Sequence, residues 1–263
     1  MMNSFERRNK IVDLVQQNGS ILVSDLSNSF GISEVTIRAD LRLLEEKGLL
    51  IRFHGGAARP GSQLEQEAEA PKTTGEVILE ERYQLAKDPK KRIALKAAAM
   101  VNPGDTVILD SGSTTMLIAE ELVKMGNITV ITNNLPAAFA LSDNKDITLV
   151  LCGGTLRHKT RSMHGSIAEL SLQGIAGDVM FVGADGLDAT NGITTFNEGY
   201  SISGVMAQAA KRVVAVVDST KFGRRGFNLV LSMSQIDMII TDTGISSADR
   251  QALDRAKPEL VIV

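Results

Sequence analysis

Two periods of hydrophobic patterning run along the chain, and the change from one to the other divides it. From Phe5 to Gln17 apolar residues recur at helical spacing (Ile11, Leu14, Val15), and Gly19 ends the run. A short apolar SILV follows. Ser24 then reads as the N-cap of a helix through DLSNSF, Gly31 as a tight turn, and Ser33 as the N-cap of EVTIRADLRLLEEKG. Ile37, Leu41 and Leu44 fall at i, i+4 and i+7 and define the inward face of that last helix, which sends Glu34, Thr36, Arg38 and Arg42 to its flanks or outward. LLIRF fits a strand turned by Gly55-Gly56, so that Arg52 and His54 project from a β-wing. Two helices joined by a short glycine-containing turn and followed by such a ribbon predict a winged helix-turn-helix over residues 1–58.

The segment RPGSQLEQEAEAPKTTGEV interrupts the pattern with prolines, glycines and acidic residues and almost no large apolar side chain. It cannot bury enough surface to fold alone and reads as a linker over residues 59–75. Beyond it, in residues 76–263, one helical segment (about 76–101) leads into short continuous runs of Val, Ile and Leu separated by helical patterns: TVILD, ITVITN, ITLVLCGG, VMFVGAD, RVVAVVD, DMIITD and ELVIV. Continuous apolar runs belong to strands covered on both faces, and strands alternating with helices predict a mostly parallel α/β sheet. In such a sheet ligands collect at the carboxyl ends of the strands.

Composition narrows the function classes. The single cysteine, Cys152, sits in an apolar run, so no internal disulfide forms and a reducing compartment is expected. The first residues lack the apolar centre of a signal peptide and no run reaches the length of a membrane span, which makes the cytoplasm the expected location and excludes a membrane partner. Net charge is −3, and residues 1–58 carry seven cations (Arg7, Arg8, Lys10, Arg38, Arg42, Lys47, Arg52) against seven acidic residues. Any nucleic-acid affinity therefore rests on clustering rather than on excess. The third helix supplies such a cluster, short polar residues at its start and arginines after them, as groove reading requires. Ser24, Ser33, Glu34, Thr36, Arg38, Arg42, Arg52 and His54 are the candidate contacts to double-stranded DNA.

A second chemistry lies after the first strand. Asp110-Ser111-Gly112-Ser113-Thr114-Thr115 stands between a strand and a helix, where unpaired N–H groups, hydroxyls and the positive end of the helix dipole favour an anion such as phosphate. No Gly-Lys-Ser/Thr follows, which disfavours a nucleoside triphosphate. Thr132-Asn133-Asn134, Gly153-Gly154 with Arg157, Asp185, Asn197-Glu198 and Lys221 follow other apolar runs and complete a candidate set suited to phosphate and sugar hydroxyls. Arg157 ranks above its neighbours His158 and Lys159, and His164 reads as structural. No cofactor or metal is implied.

ERRNKIVDLVQQNGSILVSDLSNSFGISEVTIRADLRLLEEKGLLIRFHGGA resembles the DNA-binding domain of the DeoR family of bacterial sugar-metabolism repressors. The likeness continues through DSGSTT, TNN, GG-x-L-R, GADG, TTFNE and DSTKFG. It implies a C-terminal half similar to the ribose-phosphate isomerase and sugar-phosphate deaminase fold that senses a phosphorylated sugar, so that the whole chain represses a carbohydrate operon until that effector releases it. Operator symmetry further implies a homo-oligomer, dimer or tetramer. Two alternatives remain: an active isomerase or deaminase with a DNA-binding appendage, or a module whose second half only oligomerises. Asp185 or Glu198 could serve as an isomerase base. Against an enzyme, the stretch GITTFNE lacks the Lys-Gly-Gly-Gly-like loop of the isomerase pattern.

Overall fold

A computed structural model describes residues 4–53, 56–60, 79–196, 201–226 and 228–263. The chain separates into two compact units, Met1–Thr74 and Gly75–Val263. Residues 61–75 of the expected linker lie outside the described residues.

In the first unit α1 (Ser4–Asn18) leads through β1 (Ser20–Leu22) to α2 (Val23–Phe30) and α3 (Glu34–Glu46), then to β2 (Ile51–Phe53) and β3 (Gly56–Ala58). Ile11, Val15, Val23, Leu26, Ile37, Leu41 and Leu44 form its core, and Leu14 packs at the rim. Helical spacing thus identified the inward faces of α1 and α3. Ser33 caps α3 by accepting the Thr36 N–H at 3.3 Å. Ser24 is a correction: α2 begins at Val23, which is buried in the core, so Ser24 sits inside the first turn rather than capping it. The ribbon has a third strand, because SIL, which lacked an assignment from pattern alone, pairs antiparallel with β3 to give the order β1-β3-β2. Asp40, buried on α3, accepts Arg7 Nε at 2.5 Å and Arg8 Nε at 2.7 Å, tying α1 to α3. Two of the seven cations are thereby turned to structural use.

The second unit opens with two helices where the sequence predicted one: α4 (Leu79–Gln84) and α5 (Lys87–Ala98). Pro89 explains the break. It lacks an N–H and its ring excludes an uninterrupted helix through the preceding turn, but it fits the first turn of a new one; Ala86 marks the junction with φ 49°.

The sheet follows: β4 (Thr106–Leu109), α6 (Ser113–Leu122), β5 (Ile128–Thr132), α7 (Leu135–Leu141), β6 (Ile147–Leu151), a hairpin of β7 (Thr155–Arg157) and β8 (Ser162–His164), α8 (Ser166–Leu170), β9 (Val179–Val182), β10 (Gly186–Asp188), β11 (Gly192–Thr195), α9 (Ser203–Gln208), β12 (Val213–Val216), β13 (Asn228–Ser232), β14 (Met238–Thr241), α10 (Ser247–Leu253) and β15 (Glu259–Ile262). All seven apolar runs become strands of one parallel sheet ordered β15-β14-β12-β9-β4-β5-β6. One face packs on α5, α6 and α7 through Ile93, Ala97, Ile118 and Leu141; the other packs on α8 and α9 through Ala168, Met206 and Ile202. The antiparallel sheet β10-β11-β13 and the hairpin were not predicted, since strands of three to five residues carry little periodic signal.

Strand order reverses between β4 and β9. Connections run outward from β4 to β5 and β6 on one side, and from β9 to β12, β14 and β15 on the other. The crevice beyond the carboxyl ends of β4 and β9 is the topological switch point, where open α/β sheets hold ligands.

Candidate functional site

A cavity in two lobes that share a wall occupies that switch point. Ser111, Gly183, Ala184 and Arg82 border both lobes. One lobe is cationic: Lys90, Lys221 and Arg82 face the loop Ser111-Gly112-Ser113-Thr114 and the end of β12 at Asp218. The other is acidic and hydroxyl-rich, with Asp110, Asp185, Thr195, Ser203, Arg157 and His164.

The loop after β4 is built around Gly112, whose φ of 148° favours glycine and which stands at the N-cap of α6. The Thr115 hydroxyl donates to the Gly112 carbonyl at 3.0 Å, leaving Ser113 and Thr114 on the cationic lobe. Opposite them Lys90, fully buried on α5, donates to the carbonyls of Arg82 and Leu85 at 2.7 Å each and stands 3.9 Å from Asp218 Oδ2. Those carbonyls end α4, so the ammonium caps that helix while remaining at the cavity wall. Burial drives the Lys90 pKa down to about 8; Asp218 opposes the shift, and Lys221 and Arg82 add to it. Burial lowers Lys221 as well, with Asp218 opposing and Arg224 and Arg82 reinforcing. Cations gathered at such an energetic cost are what a buried anion would relieve.

The two carboxylates of the other lobe are pushed apart. Asp110 accepts the Ser203 hydroxyl and the Ser111 N–H, both at 2.7 Å, yet burial raises its pKa to about 6. Burial also pushes Asp185 upward, but the guanidinium of Arg82 at 2.9 Å, the Thr195 hydroxyl at 2.8 Å and the Phe196 N–H at 3.2 Å outweigh it and leave Asp185 below the usual carboxylate range. Asp185 thus offers a fixed acceptor, whereas Asp110 can change protonation state near neutrality.

Of the residues expected from sequence, Asp110, Ser111, Gly112, Ser113, Thr114, Arg157, Asp185 and Lys221 line the cavity. Others do not. The Thr132 hydroxyl donates to the Leu109 carbonyl at 2.6 Å and accepts the Asn134 N–H at 3.0 Å. Asn134 caps α7 by accepting the Ala137 N–H, and Asn133 donates to the Met163 carbonyl at 3.3 Å. These side chains tie β5 to β4 and to the hairpin, so their polar groups are turned into the fold. Gly154 serves close packing: at φ 121°, a Cβ there would lie 2.5 Å from the His164 carbonyl oxygen, while Gly153 packs on Ile167. Thr115 is wholly buried. His164, read as structural, has its Nε2 2.7 Å from the Ser162 hydroxyl and also lines the cavity.

Arg82, Lys90 and Ser203 were missed. Lys90 left a signal, because it falls with Ile93, Ala94 and Ala97 at i, i+3, i+4 and i+7 on the buried stripe of α5. Asn197, Glu198 and His54, and the side chains of Ser24, Glu34, Arg38, Arg42 and Arg52, lie outside the described residues; Thr36 stands in the first turn of α3, its hydroxyl 3.0 Å from that of Ser33.

A helix-turn-helix unit followed by an α/β unit with an anion-favouring cavity is the make-up of a ligand-sensing transcriptional regulator. The DeoR-like helix-turn-helix domain matches residues 7–63 and the DeoR C terminal sensor domain matches residues 86–243, and the chain belongs to the DeoR family. A protein described as a transcriptional repressor of the aga operon in Escherichia coli O157:H7 is 36% identical over 259 residues, 98% of this chain and 93% of that one. The glycerol-3-phosphate regulon repressor of Escherichia coli K12 is 32% identical over 245 residues, 92% of either chain. These relatives are regulators, and the chain is a regulator rather than an enzyme. Ribose 5-phosphate isomerase A from Methanocaldococcus jannaschii superposes on 52% of this chain and 55% of its own with a TM-score of 0.40 and 21% identity, a likeness that supports no transfer of chemistry. Among the described residues no helix is long and apolar enough to cross a membrane.

Proposed function

We propose that the chain represses a carbohydrate-utilisation operon by binding its operator through the first unit, and that a phosphorylated sugar held in the cavity of the second unit releases it. The observation that carries this reading is the division of one cavity into a lobe of buried cations facing a helix N-terminus and a lobe of carboxylates and hydroxyls. A phosphate suits the first lobe. A polyhydroxylated body suits the second, where Asp185 and the Ser203 and Thr195 hydroxyl oxygens, whose protons go to Asp110 and Asp185, accept and Arg157 donates. The names of the relatives, two of which regulate an aga operon and a glycerol-3-phosphate regulon, favour the same class of operon.

Release requires that the effector bind the DNA-incompetent state more tightly than the competent one, since equal affinity shifts nothing. Arg82 belongs to α4, the first described helix after the linker, and also borders both lobes. Along the chain it lies on the linker side of the bound anion. The test is operator release, followed by fluorescence anisotropy of labelled promoter DNA, against phosphorylated hexoses, pentoses, polyols and amino sugars. One effective compound, with its unphosphorylated parent inert, supports the reading; failure of the whole panel to release the DNA or to raise the melting temperature refutes it.

A further inference from the structure

The parallel sheet has two edges, and they are finished differently. At β15 the chain enters through Lys257-Pro258-Glu259, and Glu259 pairs with Arg212 at 3.5 Å, so proline and charge blunt that edge. At β6 the strand is Ile147-Thr148-Leu149-Val150-Leu151, without charge, proline or glycine, and its sole sheet partner among the described residues is β5. The Cys152 N–H donates to Thr132 and the Asp146 carbonyl accepts from Asn127, so the even-numbered backbone groups face β5. Leu149 and Leu151 therefore turn their N–H and C=O groups outward.

Exposed apolar side chains gather at this edge. Of the six large exposed hydrophobics among the described residues of the second unit (Leu95, Phe139, Leu151, Ile167, Leu170, Leu229), four belong to β6 or to the helices beside it. Leu151 shares its face of the strand with Leu149, which packs on the layer holding α7 and its exposed Phe139. Ile167 and Leu170 lie on α8 in the opposite layer, with Ile167 against Gly153 just past the strand end. Ile167 is 63% exposed and Leu170 58%, an unusual state for the two faces flanking an open parallel edge.

Charge selects the occupant. Asp143 and Asp146, with Lys145 between them, precede β6, and Arg157, Lys159 and Arg161 follow it on the hairpin. A strand laid antiparallel across a two-fold axis sets the acidic entry of one copy against the basic exit of the other, as a self-complementary interface requires. We infer that β6 of one chain pairs antiparallel with β6 of a second copy, with Leu151, Ile167, Leu170 and Phe139 closing over the joint. The hairpin flanking this interface carries Arg157 and Thr160, which line the cavity, so the assembly abuts the sensor site.

The full-length protein provides the test, by sedimentation velocity together with hydrogen exchange of the Leu149 and Leu151 amides. Wild type is expected to be a dimer or a multiple of one, with both amides protected. Ile167→Lys/Leu170→Lys is expected to weaken self-association by at least ~100-fold and to speed both amides by more than ~10-fold, at unchanged circular dichroism. Leu151→Pro, which removes an outward N–H and no bond to β5, should weaken association in the same direction. A monomeric wild type overturns the proposal. So does an assembly indifferent to both variants, one whose two amides exchange freely, or amide protection that persists in a monomer because another segment of the same chain covers the edge.

Discussion

Arg82 Nη2 stands 2.9 Å from Asp185 Oδ1, and both side chains are almost fully buried. The pair joins the first described helix after the linker to the loop that follows β9, and both residues line the cavity. Removing one partner of a buried pair leaves the other charge uncompensated. Arg82→Ala is therefore expected to destabilise the second unit by about 3 kcal/mol, and Arg82→Ala/Asp185→Ala to recover part of that loss. Urea denaturation of the four proteins of this cycle checks both expectations.

Asp110 makes stability depend on pH in a defined window. Its folded pKa of about 6 lies above the ordinary value of 3.8, so the folded state holds the proton more tightly than the unfolded chain. The stabilisation by this group is complete below pH 3.8 and is lost as pH rises through about 6. The size is on the order of 3 kcal/mol. Asp185 acts with the opposite sign: its depressed pKa contributes stability above the ordinary carboxylate range that is lost as pH falls below it. Asp110→Asn should accordingly stabilise the protein at pH 7.5 and change it little at pH 3.5, as read by urea midpoints across that range.

In the first unit Asp40 carries the contact between α1 and α3. Asp40→Ala leaves Arg7 without its buried acceptor and should lower the stability of that unit by about 3 kcal/mol. Ser33→Ala, which removes the cap of α3, should cost about 1 kcal/mol. Thermal denaturation followed by circular dichroism distinguishes the two, and both variants should retain the melting transition of the second unit.

Much of this architecture was legible in the chain. The seven strands declared themselves because continuous apolar runs have few other uses, and Ser33 announced α3 because a hydroxyl before an amphipathic run is a cap. The loop after β4 stood out for the same local reason, and Asp110, Ser113 and Thr114 line the cavity. Of the cations opposite it, Lys221 was read and Arg82 and Lys90 were not. Lys90 hides among Lys87, Lys91, Arg92 and Lys96, a run that resembles a solvated face; only its place on the apolar stripe marks it. Ser203 meets Asp110 across 93 positions, and no local pattern encodes such a meeting. Thr132 and Asn134 were expected at the ligand because they end a strand, but the same position obliges them to satisfy the turn that leaves it.

Sensing and DNA binding should separate by mutation. Lys221→Ala and Ser113→Ala alter groups at the cationic lobe, far in sequence from the helix-turn-helix, and should leave operator affinity unchanged while raising the effector concentration needed for release by ~10-fold or more. Arg38→Ala should do the reverse, weakening operator binding by about 1 to 3 kcal/mol and relaxing base preference if the side chain reads a guanine. Anisotropy titrations with and without effector resolve the two classes.

The central claim is that an anionic sugar in the cavity of the second unit lowers operator affinity, and the most direct measurement is operator binding of wild type and Lys221→Ala across a panel of sugar phosphates. The account predicts that one phosphorylated sugar releases wild type, that its dephosphorylated form does not, and that the variant stays bound at the same concentration. Release of both proteins at equal effector concentration, or of neither by any member of the panel, would contradict it.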